Sequence, residues 1–527
     1  MQLTLIRFLL SALVLLMVAP SIQGERRYDV IIEGGKVIDG TGSAAYEADV
    51  AIHRGRIVAI GDLAGYNANV EIDAFGLTVS PGFIDTHSHA GPGLTTKELS
   101  HAQPLLAQGI TTVFINPDGG NGATDLVAQK RALRKHGLGV NVAQFISHGS
   151  VRREVMGLEA RRPTQSEQKA MERIVKRAMR NGAWGLSSGT FYAPGSYAEP
   201  EEIIDLARIT SDFDGVYQSH IRDESNYSVG LLAAVEEVLN VGRQANLPAV
   251  ITHIKALGPP VWGQSEDVIA RINMARREGV EAYADQYPYT ASATGLTAAL
   301  VPRWAQAGGK DSLLVRLDNP ETEDKIRKEM KANLARRGGA KRIQFRRVSF
   351  DSSMEGQRLD DAAKAWDVSP IDAALKLLAQ GYVGIVSFNM SGEDVQAFMM
   401  QPWTMTASDG GLVPWMEGVP HPRSYGAFTE KIERYVIKEA VLDMPTAVRS
   451  MTSLPSAVYG LNNRGILKKE SIADIVIFDP QKMRTPATYT SPHQLSEGVI
   501  HLFVNGKAAI LYGQFTDVLA GKVLRKK

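Results

Sequence analysis

The sequence predicts an α/β protein: a (β/α)8 barrel joined to a small β domain that is formed by the N- and C-terminal segments. Three observations lead there. Eight short apolar runs of β character alternate with amphipathic stretches through the middle of the chain, the pattern of a parallel sheet closed into a barrel. Before and after that alternation the texture changes to short strands broken by glycine turns. Four histidines and one aspartate stand at the ends of apolar runs, and a barrel gathers its chemistry at the ends of its strands.

The chain begins with Arg7 followed by FLLSALVLLMVAP, an apolar core too short to span a bilayer comfortably, and Gly24 offers a small residue for cleavage. Residues 1–24 therefore read as a signal peptide. The protein is expected in a periplasm or outside the cell, with no stable membrane association after cleavage. No cysteine is present, so lipidation at that site is excluded and an oxidising compartment is permitted without being required. A chain of 527 residues has room for a large barrel with an accessory unit. Its formal charge of +1 gives no electrostatic case for nucleic acid or an acidic membrane surface.

Residues 25–80 carry YDVIIEGGKVIDG, ADVAIHRGRIVAIG and VEIDAFGLTVSPG, apolar stretches separated by turns as in hairpins. The same texture returns in ADIVIFDP and GVIHLFVNGKAAI, so residues 461–527 are expected to complete the small β domain. Between them, residues 81–460 hold the barrel. Its strand runs are FIDTH (83–87), TTVFIN (111–116), VNVAQFIS (140–147), WGLS (184–187), VYQS (216–219), AVIT (249–252), AYAD (282–285) and TMTA (404–407). SEQKAMERIVKRAMRNG and YSVGLLAAVEEVLNVGRQA are two of the intervening helices. An insertion of about residues 296–398 precedes the eighth run and contains the charged stretch ETEDKIRKEMKANLARRGGAKR. Two readings stand for it: a solvated helix pair packed on the barrel, or a lid or rim over the active site.

His87 and His89 close the first run as His-x-His, and alternation along a strand puts both imidazoles on one face. His220 ends VYQSH, His253 ends AVITH, and Asp409 follows the eighth run in TMTASDG. A hydrolytic zinc site holds its ion with nitrogen and oxygen ligands and keeps a place for water, whose pKa falls from about 15.7 to about 7. A carboxylate beside that water can take its proton and pass it to the leaving group. Asp409 is placed for that task. Alone, an aspartate before glycine is an ordinary turn residue; four histidines at sister strand ends give it another meaning. His148 also follows a run and reads as structural or as a neighbour of the ligands. His53, His101, His136, His421, His493 and His501 have no comparable placement, although His421 lies beside Arg423.

PGFIDTHSHA, HIRDE (220–224), ITHIKALG, DQYPYTAS (285–292), ASDG and HPRSYGAF (421–428), with the ending PSAVYGLNNRGILKKESIADIVIFDP, together resemble the N-acyl-D-amino-acid deacylases, or D-aminoacylases, of the amidohydrolase superfamily. The resemblance covers nearly all of the chain after the leader. FIDTHSH marks only the superfamily, whereas HIRDE, YPYTAS and HPRxYG in that order are far more specific. The resemblance implies metal-dependent hydrolysis of N-acyl-D-amino acids to a carboxylic acid and a free D-amino acid, with one or two zinc ions. It implies that His87 and His89 line a first metal position, that His220 and His253 line a tighter one, and that Asp409 is the acid/base. Lys255 and Arg423 would hold the substrate α-carboxylate, and Tyr287 would assist at the carbonyl.

One position departs from the family pattern. Where the family carries a metal-binding cysteine after the second strand, this chain has Asp118, in INPDGG. A carboxylate oxygen can ligate zinc at about 2.0–2.2 Å, and a harder ligand opens the site towards manganese or cobalt. The alternative is that Asp118 caps a turn. The fourth run, WGLSSG, has no lysine for the bridging carbamate of some superfamily relatives, which counts against a hydantoinase-like centre. Two further readings stay open: a dipeptidase or cyclic-amide hydrolase on the same scaffold, and a binding protein that kept the barrel.

Overall fold

The structure, a computed structural model, describes residues 28–526 apart from residue 121, so the leader lies outside the described residues. Strand β1 (Tyr28–Val37) pairs antiparallel with β2 (Tyr46–His53), which pairs antiparallel with β3 (Arg56–Gly61). The hairpin texture of the sequence holds for these three. It does not hold for β4 (Ala68–Asp73) and β5 (Thr78–Pro81), which run parallel to β1 along successive parts of its length. The register of β1 shifts between Ile32 and Gly35, and a β-carbon at Gly35 would come within 2.4 Å of Val79. Glycine is what lets β5 pack there.

The barrel follows in β6 (Phe83–Ser88), β7 (Ile110–Ile115), β8 (Asn141–Gln144) with its continuation β9 (Ile146–Ser147), β10 (Gly185–Gly189), β11 (Val216–His220), β12 (Ala249–Ile251) and β13 (Ala282–Gln286). β6 to β8 and β9 to β13 are joined in parallel register. These strands are buried almost throughout, which is why they read as continuous apolar runs rather than as alternations. The helix Gln165–Arg180 shows how the outer layer is specified. Thr164 and Glu167 form a capping box at its start, and Met171, Ile174, Val175 and Ala178 make its buried stripe.

Between the seventh and eighth barrel strands the chain builds a separate α+β unit. Strands β14 (Ser292–Gly295), β15 (Ile343–Val348) and β16 (Val383–Ser387) form an antiparallel sheet with β16 in the centre. The charged stretch is a single helix, Pro320–Arg336, N-capped by Asn319. Its Ile326, Met330 and Leu334 join Phe345, Leu377 and Ile385 in a core of the unit's own. The expected helix pair on the barrel is therefore replaced by a small sheet with helices, because the charged helix has an apolar stripe that packs into this unit's own core. Strand β17 (Thr404–Thr406) then pairs with β13. Two backbone bonds close the circle beside β6: Asp409 N–H to His87 O at 2.9 Å, and His89 N–H to Gly410 O at 2.8 Å. The buried Asp85 carboxylate accepts the Ser408 N–H and hydroxyl at the same seam.

Strands β18 (Ile475–Phe478), β19 (Val499–Val504), β20 (Lys507–Leu511) and β21 (Gln514–Phe515) return to the first sheet, with β18 antiparallel to β5. The two ends of the chain thus share one sheet, and Ile32, Val50 and Ile72 pack with Ile475 and Ile477 in one cluster. Among the described residues no helix is long and apolar enough to cross a membrane.

Candidate metal centre and active site

Every residue singled out for chemistry comes to one end of the barrel. His87 is fully buried at the end of β6, while His89, 42% exposed, opens on a cavity. Asp118 follows β7 in a left-handed backbone conformation (φ +58°). Its carbonyl lies where a β-carbon on Gly189 would come within 1.9 Å. The glycine of WGLSSG thus lets the Asp118 loop lie flat on the end of β10. His253 (φ +37°) and Asp409 (φ +48°) also occupy the left-handed region. Non-glycine residues persist there only when their surroundings hold them. The His253 N–H donates to Asp285 Oδ1 at 2.6 Å, and the closing bond to His87 holds Asp409.

Two ligand sets overlap. His87, His89, Asp118 and Asp409 form one, and Asp118, His220 and His253 the other, each with its donor atoms within 4.8 Å of one another. Asp118 Oδ1 lies 3.2 Å from His87 Nε2 and 3.3 Å from His253 Nε2, and Oδ2 lies 3.2 Å from His89 Nε2. Asp409 Oδ1 is 3.1 Å from His89 Nε2. His220 Nδ1 and His253 Nε2 face each other at 2.8 Å. Asp118 accepts no backbone N–H among the described residues, so the turn-cap reading has no bond to rest on.

These residues fit a metal ion. His87 keeps Nε2 without a hydrogen bond although it is buried and faces a carboxylate. Opposed imidazole nitrogens and convergent carboxylate oxygens are what a cation between them would satisfy. Four imidazoles and a carboxylate are ligand types of zinc and, through the oxygen, of manganese or cobalt.

Around this cluster stands a second layer that the sequence reading passed over. Glu224 Oε1 lies 3.0 Å from His253 Nδ1 and 2.5 Å from Lys255 Nζ. It therefore aims the other ring nitrogen, Nε2, at the cluster, as carboxylate partners of metal-binding histidines do. Burial alone would raise the Glu224 pKa; Lys255 and the two histidines hold it far below the carboxylate range. Its sequence signal was present in HIRDE, four residues after His220. Asp285 fixes the His253 backbone and accepts the Thr86 hydroxyl at 3.1 Å.

Lys255 and Arg423 are buried rather than surface cations, at 3% and 5% exposure. Each is paired inside the site: Lys255 with Glu224, and Arg423 Nη1 with Asp409 Oδ2 at 2.8 Å. Against the cost of burial, Arg423 keeps Asp409 ionised well below its ordinary range. The Arg423 guanidinium lies 4.6 Å from the Tyr287 ring centre, and burial pushes that phenol well above its usual pKa. His421 anchors the turn: Nε2–H donates to Ala291 O at 2.9 Å, and Nδ1 accepts the Arg423 N–H at 3.0 Å. His148 is structural, buried against Glu202 at 2.8 Å.

The cluster opens into a cavity of about 660 Å³. The barrel supplies its floor, and Thr294, Arg337, Arg346 and Tyr382 of the inserted unit supply one wall. The insertion therefore sits at the rim of the site.

The amidohydrolase family model matches residues 70–510. An N-acyl-D-glutamate deacylase of Alcaligenes xylosoxydans xylosoxydans is 34% identical over 511 residues, covering 92% of this chain and 94% of that protein. The crystal structure of N-acyl-D-glutamate deacylase from Bordetella bronchiseptica, complexed with zinc and a phosphonate mimic of the tetrahedral intermediate, matches with a TM-score of 0.80. It is 33% identical and is covered in full by 95% of this chain. A D-aminoacylase structure described for its binuclear metal center also matches with a TM-score of 0.80, at 30% identity over 94% of this chain and 100% of that one. A family model spanning most of the chain and relatives matched along their whole length agree with the strand-end cluster, and the chain belongs to the amidohydrolase family, among its N-acyl-D-amino-acid deacylases.

Proposed function

We propose that this protein hydrolyses the amide bond of N-acyl-D-amino acids, releasing a carboxylic acid and a free D-amino acid. The observation that carries the reading is the pair of ligand sets sharing Asp118, with Asp409 reaching into one of them. The relatives with a zinc-bound and a binuclear site support zinc as the metal, as one ion or two. His87, His89, His220, His253 and Asp118 would hold it, Asp118 taking the place of the family's cysteine. Bound zinc supplies a water of lowered pKa and polarises the scissile carbonyl.

The remaining steps belong to side chains of this protein. Asp409, ionised in the resting site, accepts the proton of the attacking water and returns it to the leaving nitrogen. Tyr287, kept protonated by burial, donates a hydrogen bond towards the carbonyl oxygen. Arg423 and Lys255 hold the α-carboxylate. Both already have carboxylate partners, so substrate binding adds a second anion to each pair rather than meeting a bare cation. Arg423 can do this bidentately through its planar fork.

The test is hydrolysis of matched N-acetyl-D and N-acetyl-L amino acids by the mature protein, with metal content measured on the same sample. The reading expects turnover of the D series by metal-loaded protein. Absence of bound metal together with absence of turnover would favour a binding protein on the same barrel. The apolar segment after Arg7 supports export as the setting of this activity.

A further inference from the structure

The end of the barrel away from the metal cluster holds another cavity, of about 900 Å³. Its lining includes Ala183 and Asp214, which stand just before the first residues of β10 and β11. The cluster, by contrast, draws on the last residue of β11, His220, and on its counterparts at the other strand ends. Five basic side chains, Lys130, Arg134, Arg180, Arg525 and Lys526, line this lower cavity against two carboxylates, Asp212 and Asp214.

The sequence brings those cations together from three segments. Lys130 and Arg134 are four residues apart on the helix Leu126–Arg134, so they share a face. Arg180 ends the helix Gln165–Arg180. Basic residues in a last turn offset the helix dipole, which accounts for Arg134 and Arg180 taken singly. It does not account for Lys130 or for the chain end. That end is fixed by backbone bonds: Leu524 N–H donates to Val142 O at 2.8 Å, and Lys526 N–H to Gly182 O at 3.2 Å. Gly182, with φ +94°, permits the crossing, since a β-carbon there would come within 2.9 Å of Arg525 Nε. Arg525 Nη2 donates to Arg180 O at 3.4 Å. The tail therefore carries its two cations to a set place beside the helix ends.

Most of this charge has no counter-charge. Among the described residues no carboxylate forms an ion pair with Lys130, Arg134, Arg180 or Arg525. Burial, and then the nearness of Arg134 and Arg525, lower the Lys130 pKa. Asp214 attracts Lys526, whose Nζ–H donates to Tyr459 O at 3.3 Å, and burial still lowers its pKa. Beneath the cations Met179, Ala183 and Val523 are buried and make an apolar floor. A group entering the cavity thus meets ammonium and guanidinium donors above a surface that offers them no anion.

We infer that this cavity binds a phosphate-bearing ligand, either a free phosphoanion or the headgroup of an anionic phospholipid. Guanidinium forks match phosphate oxygens bidentately, and lysines add point charges. Three guanidiniums and an ammonium without a carboxylate exceed what a single carboxylate ligand would neutralise, which favours a multiply charged oxyanion. The whole chain has a formal charge of only +1, so the attraction is a local property of this face. Because the face is turned away from the metal cluster, a ligand held there leaves the cavity above His89 open.

The test compares the mature protein with the double variant Arg134→Gln/Arg525→Gln and with a charge-matched control, Lys468→Gln/Lys469→Gln. All four side chains are exposed, so each pair can be replaced without disturbing the core. Two probes are used at low ionic strength, where such contacts are least screened. One is calorimetric titration with inorganic pyrophosphate. The other is co-sedimentation with vesicles of phosphatidylglycerol in phosphatidylcholine, against phosphatidylcholine alone. The expected result is binding of at least one anionic probe that falls at least about tenfold in the double variant and not in the control. Pyrophosphate held at the metal cluster would not respond to Arg134 or Arg525. A loss of vesicle binding assigns the site to a lipid headgroup, and a loss confined to pyrophosphate assigns it to a soluble phosphoanion. Absence of binding to both probes, retention of binding by the double variant, or an equal loss in the control overturns the inference.

Discussion

Asp118 is the residue on which the two ligand sets meet, with one oxygen turned to His87 and His253 and the other to His89. Asp118→Ala should therefore weaken metal binding at both positions, and Asp118→Cys should restore it with a stronger bias to zinc, because thiolate is the softer ligand. Metal titration of both variants beside wild type checks this; unchanged affinity in Asp118→Ala would remove Asp118 from the ligand set. Asp409 differs in that its second oxygen is held by Arg423. Asp409→Asn keeps an oxygen facing His89 but cannot shuttle a proton. Its kcat should drop by at least about a hundredfold, with folding intact and the metal at His220 and His253 retained. A variant that keeps more than about a tenth of the wild-type rate would show that Asp409 is not the proton carrier.

At the scale of elements, the strand ends deliver the candidate ligands and the segments just beyond them hold those side chains in place. The turn after β11 brings Glu224 back to His253, which stands beyond β12. Glu224→Gln keeps the size but leaves Lys255 without its anion and the His253 ring without a charged acceptor. Metal affinity should fall about 10- to 100-fold, as read by competition with a chelator; an unaltered affinity would make Glu224 a partner of Lys255 alone.

The helical segment after Arg423 carries a separate strain. Lys431, 2% exposed, donates to the Thr406 and Ser450 hydroxyls at 2.9 and 2.8 Å, and burial draws its pKa down to about 7. Between about pH 7 and its unfolded value near 10.4, the unfolded chain binds more protons at this site, so stability rises with pH through that window. Lys431→Met should thus stabilise the protein most below pH 7, by up to a few kcal/mol at about 1.4 kcal/mol per pKa unit, and progressively less towards pH 10. The Thr406 and Ser450 hydroxyls, 3.0 Å apart, would still satisfy each other. Melting curves of both proteins at pH 6.5 and 9.5 test the sign.

Over the whole molecule, the barrel and the terminal sheet are one cooperative body rather than neighbours. Phe83 and Ile110 of the barrel share a cluster with Val476, Phe478 and Leu502 of the last strands. The chain end is tied in as well: Val142 N–H donates to Lys522 O, and Leu524 N–H to Val142 O. Leu502→Ala, at a fully buried position, should cost about 2–5 kcal/mol of stability and lower the melting temperature of the barrel with that of the sheet. Two separated transitions would show that the sheet melts alone.

Much of this architecture is local in origin and so is written along the chain. Each of the eight apolar runs became a barrel strand, because a strand buried on both faces needs an unbroken apolar segment and little else. His87 and His89 were legible as a pair for the same reason, since alternation is a property of the strand itself. The resemblance in HIRDE, YPYTAS and HPRSYG named the deacylase group from short motifs. What only the tertiary structure decided are the partnerships between distant segments. Neither the parallel placement of β4 and β5 beside β1 nor the inserted sheet has a local period that announces it. Lys255 and Arg423 looked like cations awaiting a substrate, and folding gave them Glu224 and Asp409. Arg337 lay inside a charged stretch that reads as solvent-facing, and folding buried it on the cavity wall. Residue type fixes which charges a chain carries, but the effect of each depends on distance and burial, and those exist only once the chain has closed on itself.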